Sequence, residues 1–279
     1  MARITIIAQG AMGSGIGRRL VESGHDVATV LEGRSEASAA RAKAAGMKPV
    51  GFAQAADCDL FLSILPPSEA EALAQKIARL IAAMPRKPIY VDCNAISPGS
   101  MGSVAAIAGA AGAEVVDIGI IGGPPKPGNS PAIYAAGPAA GRVRDLLGAG
   151  LDVRVQEGPV GAASALKMCY AGLTKGFQAL GLAMLGAAAR SGAGDALKAQ
   201  LAESQPDFLR YFDVQVPAAF PKAYRFVGEM EEISAFLASS GETGAAAIYA
   251  GMAKLYERIA EDVAGPRAEV AAITDLLRR

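Results

Sequence analysis

A glycine-rich turn between an apolar run and a helical pattern constrains the fold of this chain more than any other feature. Residues 4–8 have the pattern of a buried strand, Gly10 and Gly13 follow, and a helix is expected to open near Ala11. A second strand pattern covers residues 26–31. In this context the glycines let the backbone approach a pyrophosphate and the helix N-terminus offers N–H groups. The pattern predicts a site for a nicotinamide or flavin dinucleotide, with an ordinary strand-turn-helix as the alternative.

The cofactor contacts expected at this turn come from four consecutive residues, namely Gly10, Ala11, Met12 and Gly13. Ala8 occupies the position of the first glycine in the usual Gly-x-Gly-x-x-Gly motif. The turn therefore departs from the motif at one position.

The charge balance limits the classes of partner. The 279 residues include 27 Lys and Arg against 27 Asp and Glu. Nucleic acids and anionic membranes favour a basic face, so neither is expected as the main partner. The length is sufficient for two domains, each with its own core.

The cysteines and the histidine form no metal-binding or disulfide pattern. Cys58, Cys93 and Cys169 are widely spaced and His25 is the single histidine. We therefore expect no metal site and a reducing, cytoplasmic location.

No targeting or membrane segment is expected. The first strand begins almost at Met1, which leaves no room for a signal peptide. The apolar stretch 160–189 is interrupted by Lys167 and Lys175, so its uncharged part is shorter than the roughly 20 residues of a membrane span. We interpret it as a buried helix of a soluble protein.

Strand and helix patterns alternate up to about residue 156, and only helix patterns follow. Strands are expected at 4–8, 27–31, 60–65, 89–91, 115–119, 132–135 and 153–155, with helices such as 70–83 and 100–111 between them. Later helices are expected at 160–189, 194–203, 207–214, 225–240 and 244–263, with breaks that include Pro217. The chain is predicted to fold as an α/β Rossmann domain (1–157) with a mostly parallel, doubly wound sheet, followed by an all-α domain (158–279) for substrate binding and dimerisation.

Lys167 is the titratable residue of most interest. It lies in an apolar helix of small residues, where burial would lower the pKa of a lysine and prepare it for proton transfer. Tyr170 and Thr174 share its helix face. The alternative is a surface lysine whose stem packs on the helix.

Five segments, taken together, resemble the β-hydroxyacid dehydrogenases, whose larger relative is 6-phosphogluconate dehydrogenase. They are 9–13 (Gln-Gly-Ala-Met-Gly), 65–67 (Leu-Pro-Pro), 91–98 (Val-Asp-Cys-Asn-Ala-Ile-Ser-Pro), 117–123 (Asp-Ile-Gly-Ile-Ile-Gly-Gly) and 158–161 (Gly-Pro-Val-Gly) with Lys167. The third resembles the family's Val-Asp-x-Ser-Thr-x-Ser-Pro and the fourth its substrate loop, Asp-Ala-Pro-Val-Ser-Gly-Gly.

The resemblance implies roles for these segments. It makes Lys167 the general acid/base. Tyr170 is a second catalytic candidate because its phenol lies one helical turn from Lys167. The resemblance adds Leu65, Pro66 and Asn94 to the cofactor contacts and gives the substrate contacts Ile121, Gly122 and Gly123. Further substrate contacts are expected from the residues themselves: Tyr170 and Thr174 share the helix face of Lys167, and Glu229 and Glu232 are carboxylates that could hold an amine.

Three departures concern substrate recognition. Ile121 replaces the family's serine, Ala171 replaces its substrate-binding asparagine, and residues 228–232 (Gly-Glu-Met-Glu-Glu) stand where Lys-Asp is common. We therefore expect the redox class to be shared, but no named hydroxy acid follows.

The end of the second strand bears on cofactor choice. Glu32 could accept the ribose 2′-OH of NAD, whereas Arg34 and Ser35 could bind the 2′-phosphate of NADP. Residues 33–35 align with the family's Asn-Arg-Thr, which favours NADP over NAD. Alternatively, Arg34 is a surface residue and Ser35 a helix N-cap.

The resemblance implies an NAD(P)-dependent oxidoreductase acting on CH–OH, which exchanges a hydride between nicotinamide and a small hydroxy or carbonyl compound. One alternative is a reductase of C=N bonds in which Glu229 or Glu232 holds an amine. Another is a dinucleotide-binding sensor without turnover. The alanine- and glycine-rich helix at 160–189 predicts close packing, and we expect it to build a homodimer.

Overall fold

The chain forms two compact units, Met1–Lys167 and Met168–Arg279, in a computed structural model that describes residues 1–7 and 9–278. The boundary between the units falls within one long helix. The division at residues 157 and 158 stays a prediction. The strand expected at 4–8 ends on Ala8, which lies outside the described residues.

The first unit is built on one eight-stranded sheet. Its strands are β1 (Arg3–Ile7), β2 (Asp26–Val30), β3 (Lys48–Val50), β4 (Leu60–Ser63), β5 (Ile89–Asp92), β6 (Glu114–Ile121), β7 (Ala132–Ala136) and β8 (Asp152–Val155). They lie in the order β3-β2-β1-β4-β5-β6-β7-β8, and every pair is parallel except β6 with β7. The predicted Rossmann sheet is confirmed.

Helices cover both faces of this sheet. They are α1 (Ala11–Glu22), α2 (Glu36–Ala44), α3 (Ala70–Ala83), α4 (Pro98–Ala110) and α5 (Ala140–Leu147). Leu60 and Leu62 of β4 belong to one buried cluster with residues of α1 and α5, while Phe61 belongs to a second cluster with residues of α3 and α4. Successive side chains of a strand point to opposite faces, so the clusters lie on the two sides of the sheet.

The second unit is helical. A long helix, α6 (Ala162–Ser191), crosses the boundary and is followed by α7 (Gly194–Ser204), α8 (Pro206–Ala219), α9 (Ala223–Ser239), α10 (Thr243–Ala264) and α11 (Ala268–Arg278). The predicted all-helical C-terminal region is confirmed. Within the described part of the chain, no helix has the length and apolarity to cross a membrane.

One expected helix break was wrong, and two elements were missed. The break expected at Pro217 is absent, because α8 runs through it and buries Phe212, Val216 and Ala219. The missed elements are β3, an edge strand with a central proline, and α11.

Candidate functional site

The turn after β1 presents an open helix N-terminus. Gly10 is the N-cap of α1, and among residues 1–7 and 9–278 no side chain caps this end. Apart from its chain neighbours, a Cβ placed on Gly10 would have no atom of the described residues within 4 Å, so the space beside this glycine is open. Backbone N–H groups and the positive end of the helix dipole together attract an anion such as a pyrophosphate.

Gln9 fixes this turn to the neighbouring strand, a role that the sequence did not indicate. Its buried side chain donates to Thr29 Oγ1 and to the carbonyl of Val30 at 3.2 Å, and Arg41 Nε donates to the Gln9 carbonyl at 2.8 Å. These bonds join the turn to β2 and α2. They depend on residues at least 20 positions away, so no local pattern could have predicted them.

A cleft of about 520 Å³ lies at the carboxyl end of β2, and Arg34 and Lys76 are the basic residues of its lining. Glu32, Gly33, Phe52, Leu65 and Glu69 also contribute to it. Its position next to the glycine turn, at the carboxyl ends of parallel strands, is where this class of sheet binds the adenosine half of a dinucleotide. Lys76 was not predicted from the sequence.

Two residues expected at the cofactor already have roles within the unit. Glu32 Oε1 accepts a hydrogen bond from the Phe52 N–H at 3.2 Å, so it caps the short turn that follows β3. Ser35 is the N-cap of α2, and its Oγ accepts from the Ser38 N–H at 3.3 Å. The exposed Arg34 lies between them at the edge of the cleft.

Asn94 fixes the loop after β4. Its Oδ1 accepts from the Leu65 N–H, and its Nδ2 donates to Ser63 Oγ and to Asp92 Oδ2, each at 2.8 Å. Asn94 is buried, so these bonds satisfy its amide. The structure thus joins Asn94 to the Leu65–Pro66 segment, and its predicted contact with the cofactor stays a prediction.

Two buried carboxylates, Asp92 and Asp117, are register partners on β5 and β6. Asp117 accepts hydrogen bonds from the Gly161 N–H at 3.0 Å, the Ser164 N–H at 2.8 Å and the Ser164 hydroxyl at 2.7 Å. Burial raises the pKa of Asp92 to about 7, and the charge of Asp117 adds to the shift. Burial also raises the pKa of Asp117, against the effect of its hydrogen bonds.

Raising the pH from 5 to 7 is expected to lower the free energy of unfolding of the wild type by about 1–3 kcal/mol more than that of Asp92→Asn. In this range the unfolded chain has released the Asp92 proton, since the ordinary pKa is 3.8, whereas the folded chain retains it up to about pH 7. Stability from this group is therefore present at low pH and lost as the pH rises. Urea unfolding at each pH measures it, with the exposed Asp145→Asn as control; parallel curves for wild type and Asp92→Asn would contradict the assignment.

Lys167 lies beside the end of β6. Its Nζ donates a hydrogen bond to the Ile120 carbonyl at 2.7 Å, and its side chain is half-buried. Ile121 ends the strand, and Gly122 and Gly123 follow it. Gly122 has a φ of 129°, and a Cβ there would lie 3.1 Å from Pro131 Cα. The structure therefore brings the predicted proton-transfer residue to the predicted substrate loop.

Tyr170 and Thr174 belong to the second unit. The Tyr170 side chain is 47% exposed, and the Thr174 hydroxyl donates to the Tyr170 carbonyl at 2.9 Å. The Tyr211 hydroxyl donates to the Thr174 carbonyl at 3.0 Å. Their roles toward substrate stay predictions.

Glu229 is engaged inside the second unit. Its buried carboxylate forms an ion pair with Lys175, whose ammonium also lies 4.8 Å from the centre of the Phe226 ring. Glu232 is half-buried on the same helix. The ion pair supplies the countercharge that a buried carboxylate requires, so Glu229 needs no ligand for that purpose. Lys175 was visible in the sequence only as a charge in an apolar helix.

The arrangement suits a nicotinamide dinucleotide. The glycine turn and the α1 N-terminus would hold the pyrophosphate, and the cleft with Arg34 would hold the adenosine end. Of the predicted contacts, Gly10 offers open space, Ala11 and Met12 begin α1, and Gly13 is buried within it.

Comparison with solved structures shows the same fold over nearly the whole chain. A conserved protein of unknown function, described as structurally similar to 3-hydroxyacid dehydrogenases, is 27% identical with a TM-score of 0.72, covering 94% of this chain and 98% of its own. The 3-hydroxyisobutyrate dehydrogenase of Mycobacterium tuberculosis, solved with L-serine, is 18% identical with a TM-score of 0.69, covering 100% and 98%. An imine reductase from Myxococcus stipitatus in complex with NADP⁺ is 17% identical with a TM-score of 0.55, covering 99% and 100%. The latter two likenesses show the fold alone.

Family profiles match both parts of the chain. The profile of the NAD binding domain of 6-phosphogluconate dehydrogenase matches residues 3–149, and a domain of unknown function, DUF1932, matches residues 188–259. No curated protein matches the chain. The first match covers more than half of the residues and includes the glycine turn, the cleft at the carboxyl end of β2, and β6. The chain therefore belongs to the family defined by the NAD binding domain of 6-phosphogluconate dehydrogenase.

Proposed function

We propose that this protein is an NAD(P)-dependent oxidoreductase that interconverts a small hydroxy compound and the corresponding carbonyl compound. The observation that carries the proposal is the position of Lys167, whose ammonium lies 2.7 Å from the Ile120 carbonyl at the carboxyl end of a dinucleotide-binding sheet. This is the edge where open sheets of this type bind ligands.

Lys167 would manage the proton of the substrate hydroxyl. A bound nicotinamide supplies the hydride donor or acceptor. When the substrate C–OH is oxidised, its hydroxyl proton passes to the lysine amine; in reduction, the lysine ammonium returns that proton to the carbonyl oxygen. The Ile120 carbonyl orients the amine, and the Ile121–Gly123 segment forms the neighbouring wall.

We place NADP ahead of NAD as the cofactor. Arg34 and Lys76 give the cleft two cations. The Phe52 N–H binds the Glu32 carboxylate, which would otherwise compete with a phosphate for these cations. The fold is shared with an imine reductase solved with NADP⁺. These features favour an extra phosphate at the ribose.

A two-stage experiment tests the proposed function. Thermal shift with NADPH, NADH and FAD identifies the cofactor, and a screen follows with hydroxy acids, neutral secondary alcohols, ketones and cyclic imines. Stabilisation by a nicotinamide cofactor and turnover of an alcohol or ketone support the proposal. Turnover confined to imines would make the protein a C=N reductase, and cofactor binding without any turnover would make it a sensor.

The second candidate, a C=N reductase, shares this fold with the imine reductase of the comparison. In such a reductase, Glu229 or Glu232 would hold the amine of the substrate. Glu229 is already paired with Lys175, so an amine would have to displace an internal cation. This pairing favours the hydroxy or carbonyl substrate.

The protein is proposed to form a homodimer through α6. Leu173, Leu180 and Met184 are 75%, 49% and 54% exposed, and their spacing places them on one face of the helix. A row of exposed apolar side chains of this kind marks an interaction surface. A second copy of the chain is the occupant we propose, with residues 158–279 as the dimerisation and substrate domain.

Light scattering at micromolar concentration is expected to give twice the 28.3 kDa chain mass. Leu173→Glu should shift the population toward the monomer, since it places a charge in the buried interface. Glu242→Gln, an exposed position at the start of α10, is the control. A wild type that is active as a monomer at this concentration contradicts the proposal.

A cytoplasmic location is also proposed. The three cysteines, Cys58, Cys93 and Cys169, are all free thiols. Such thiols persist in a reducing compartment.

A further inference from the structure

The contact between β6 and the first turn of α6 is unusually close. A Cβ added to Gly119 would lie 2.7 Å from the carbonyl oxygen of Ala163 and 3.4 Å from Lys167 Cβ. The first of these distances is too short for any side chain, so only glycine permits this approach of helix to strand. In the family pattern Asp-Ala-Pro-Val-Ser-Gly-Gly, the same position is occupied by proline.

Asp117 holds the same turn from a neighbouring position on the strand. It lies two residues before Gly119 and therefore on the same face of β6. Its carboxylate accepts from the Gly161 N–H, the Ser164 N–H and the Ser164 hydroxyl, at 2.7–3.0 Å. These bonds fix the position of the first turn of α6 over β6 and its rotation about the helix axis.

Lys167 lies one turn beyond Ser164, so its Cα position is set by these contacts. The Nζ then reaches the Ile120 carbonyl at 2.7 Å, on the strand that carries Asp117 and Gly119. We infer that Asp117 and Gly119 are positioning residues that place the Lys167 ammonium for proton transfer. This inference rests on the proposed function, because it assumes that Lys167 handles the substrate proton.

The first test measures the lysine itself and needs no substrate. Lysines are labelled with trace acetic anhydride and quantified by peptide mass spectrometry in wild type, Gly119→Ala and the control Gly102→Ala, whose added Cβ meets no atom within 4 Å. Lys87, whose Nζ donates to the Ile81 and Ala82 carbonyls at 2.8 Å, is the internal reference. We expect Gly119→Ala to raise the labelling of Lys167 relative to Lys87 at least threefold and Gly102→Ala to leave it unchanged. An unchanged ratio in Gly119→Ala overturns the inference.

The second test is a double-mutant cycle on turnover, with the best substrate of the screen. If Gly119 acts through the lysine, Gly119→Ala lowers kcat about 10–100-fold in the wild type and has little further effect in Lys167→Met. An equal loss in both backgrounds indicates a merely structural role and overturns the inference. Full turnover in Lys167→Met alone would instead refute the proton-transfer role of Lys167 on which the inference rests.

A milder variant keeps the inference testable if Gly119→Ala does not fold. Ser164→Ala removes one of the bonds to Asp117 and leaves the backbone bonds in place. It should lower kcat severalfold with an unchanged NADPH Kd, and this loss should again disappear in Lys167→Met. A loss that persists there contradicts the positioning role.

Discussion

Replacing Lys167 with methionine is expected to lower turnover by roughly 10²–10⁴-fold and to leave the Kd of NADPH nearly unchanged. Reduction of a carbonyl places negative charge on its oxygen, and that oxygen must take up a proton. An ammonium beside it both stabilises the charge and donates the proton. Methionine keeps the length and apolar stem of the side chain but can do neither. Stopped-flow and steady-state kinetics measure kcat, and fluorescence titration measures the Kd.

Matched variants test whether the loss of turnover is specific to Lys167. Lys175→Met removes the other lysine of α6, whose partner is Glu229, and tests whether any charge lost from this helix has the same effect. Tyr170→Phe tests the phenol one turn from Lys167. The wild-type rate should depend on pH, and Lys167→Met should lack that dependence. Wild-type turnover in Lys167→Met with a crippled Tyr170→Phe would move the acid/base role to Tyr170, and indifference of both would refute the mechanism.

The sheet was predictable because its signals are local. Each buried strand reads as a short apolar run, and glycines and prolines separate it from the next helix. β3 was missed because Pro49 argues against a strand, yet proline is tolerated at the sheet edge where β3 lies. The helix through Pro217 shows the same limit, since tertiary packing of Phe212 and Val216 overrides the local signal.

The site was less predictable because its geometry depends on pairs distant in sequence. The motif identified the positions of Asn94 and Lys167 but not their partners, Leu65 and the Ile120 carbonyl. Glu229 was a candidate for binding an amine because the sequence does not show its ion pair with Lys175, which lies 54 residues away in the chain. A sequence pattern predicts the type of residue at a position. Whether that side chain is available to a ligand depends on the groups that the fold places beside it.

Replacing Arg34 with alanine is expected to remove a preference for NADPH over NADH of about 10–150-fold in Kd. One charge-assisted contact contributes on the order of 1.5–3 kcal/mol, which corresponds to this range. Arg34 lies at the cleft edge, and a guanidinium can donate two parallel hydrogen bonds to a phosphate. The Kd of NADH should barely change, because NADH lacks the phosphate. Fluorescence titration of both cofactors gives the two constants.

Variants on α3 separate a local contact from a general charge effect. Lys76 lines the cleft with Arg34, whereas Arg79 is exposed on the same helix and does not line it. Lys76→Ala should weaken NADPH binding less than Arg34→Ala, since an ammonium makes a single strongly hydrated contact. Arg79→Ala should leave NADPH binding nearly unchanged, because salt screens the attraction of an exposed charge outside the cleft. Each loss should shrink as salt rises, because the contacts lie at the surface. Equal losses in all three variants would mean that net charge alone attracts the cofactor, and tighter binding of NADH than of NADPH by the wild type would reverse the assignment to NADP.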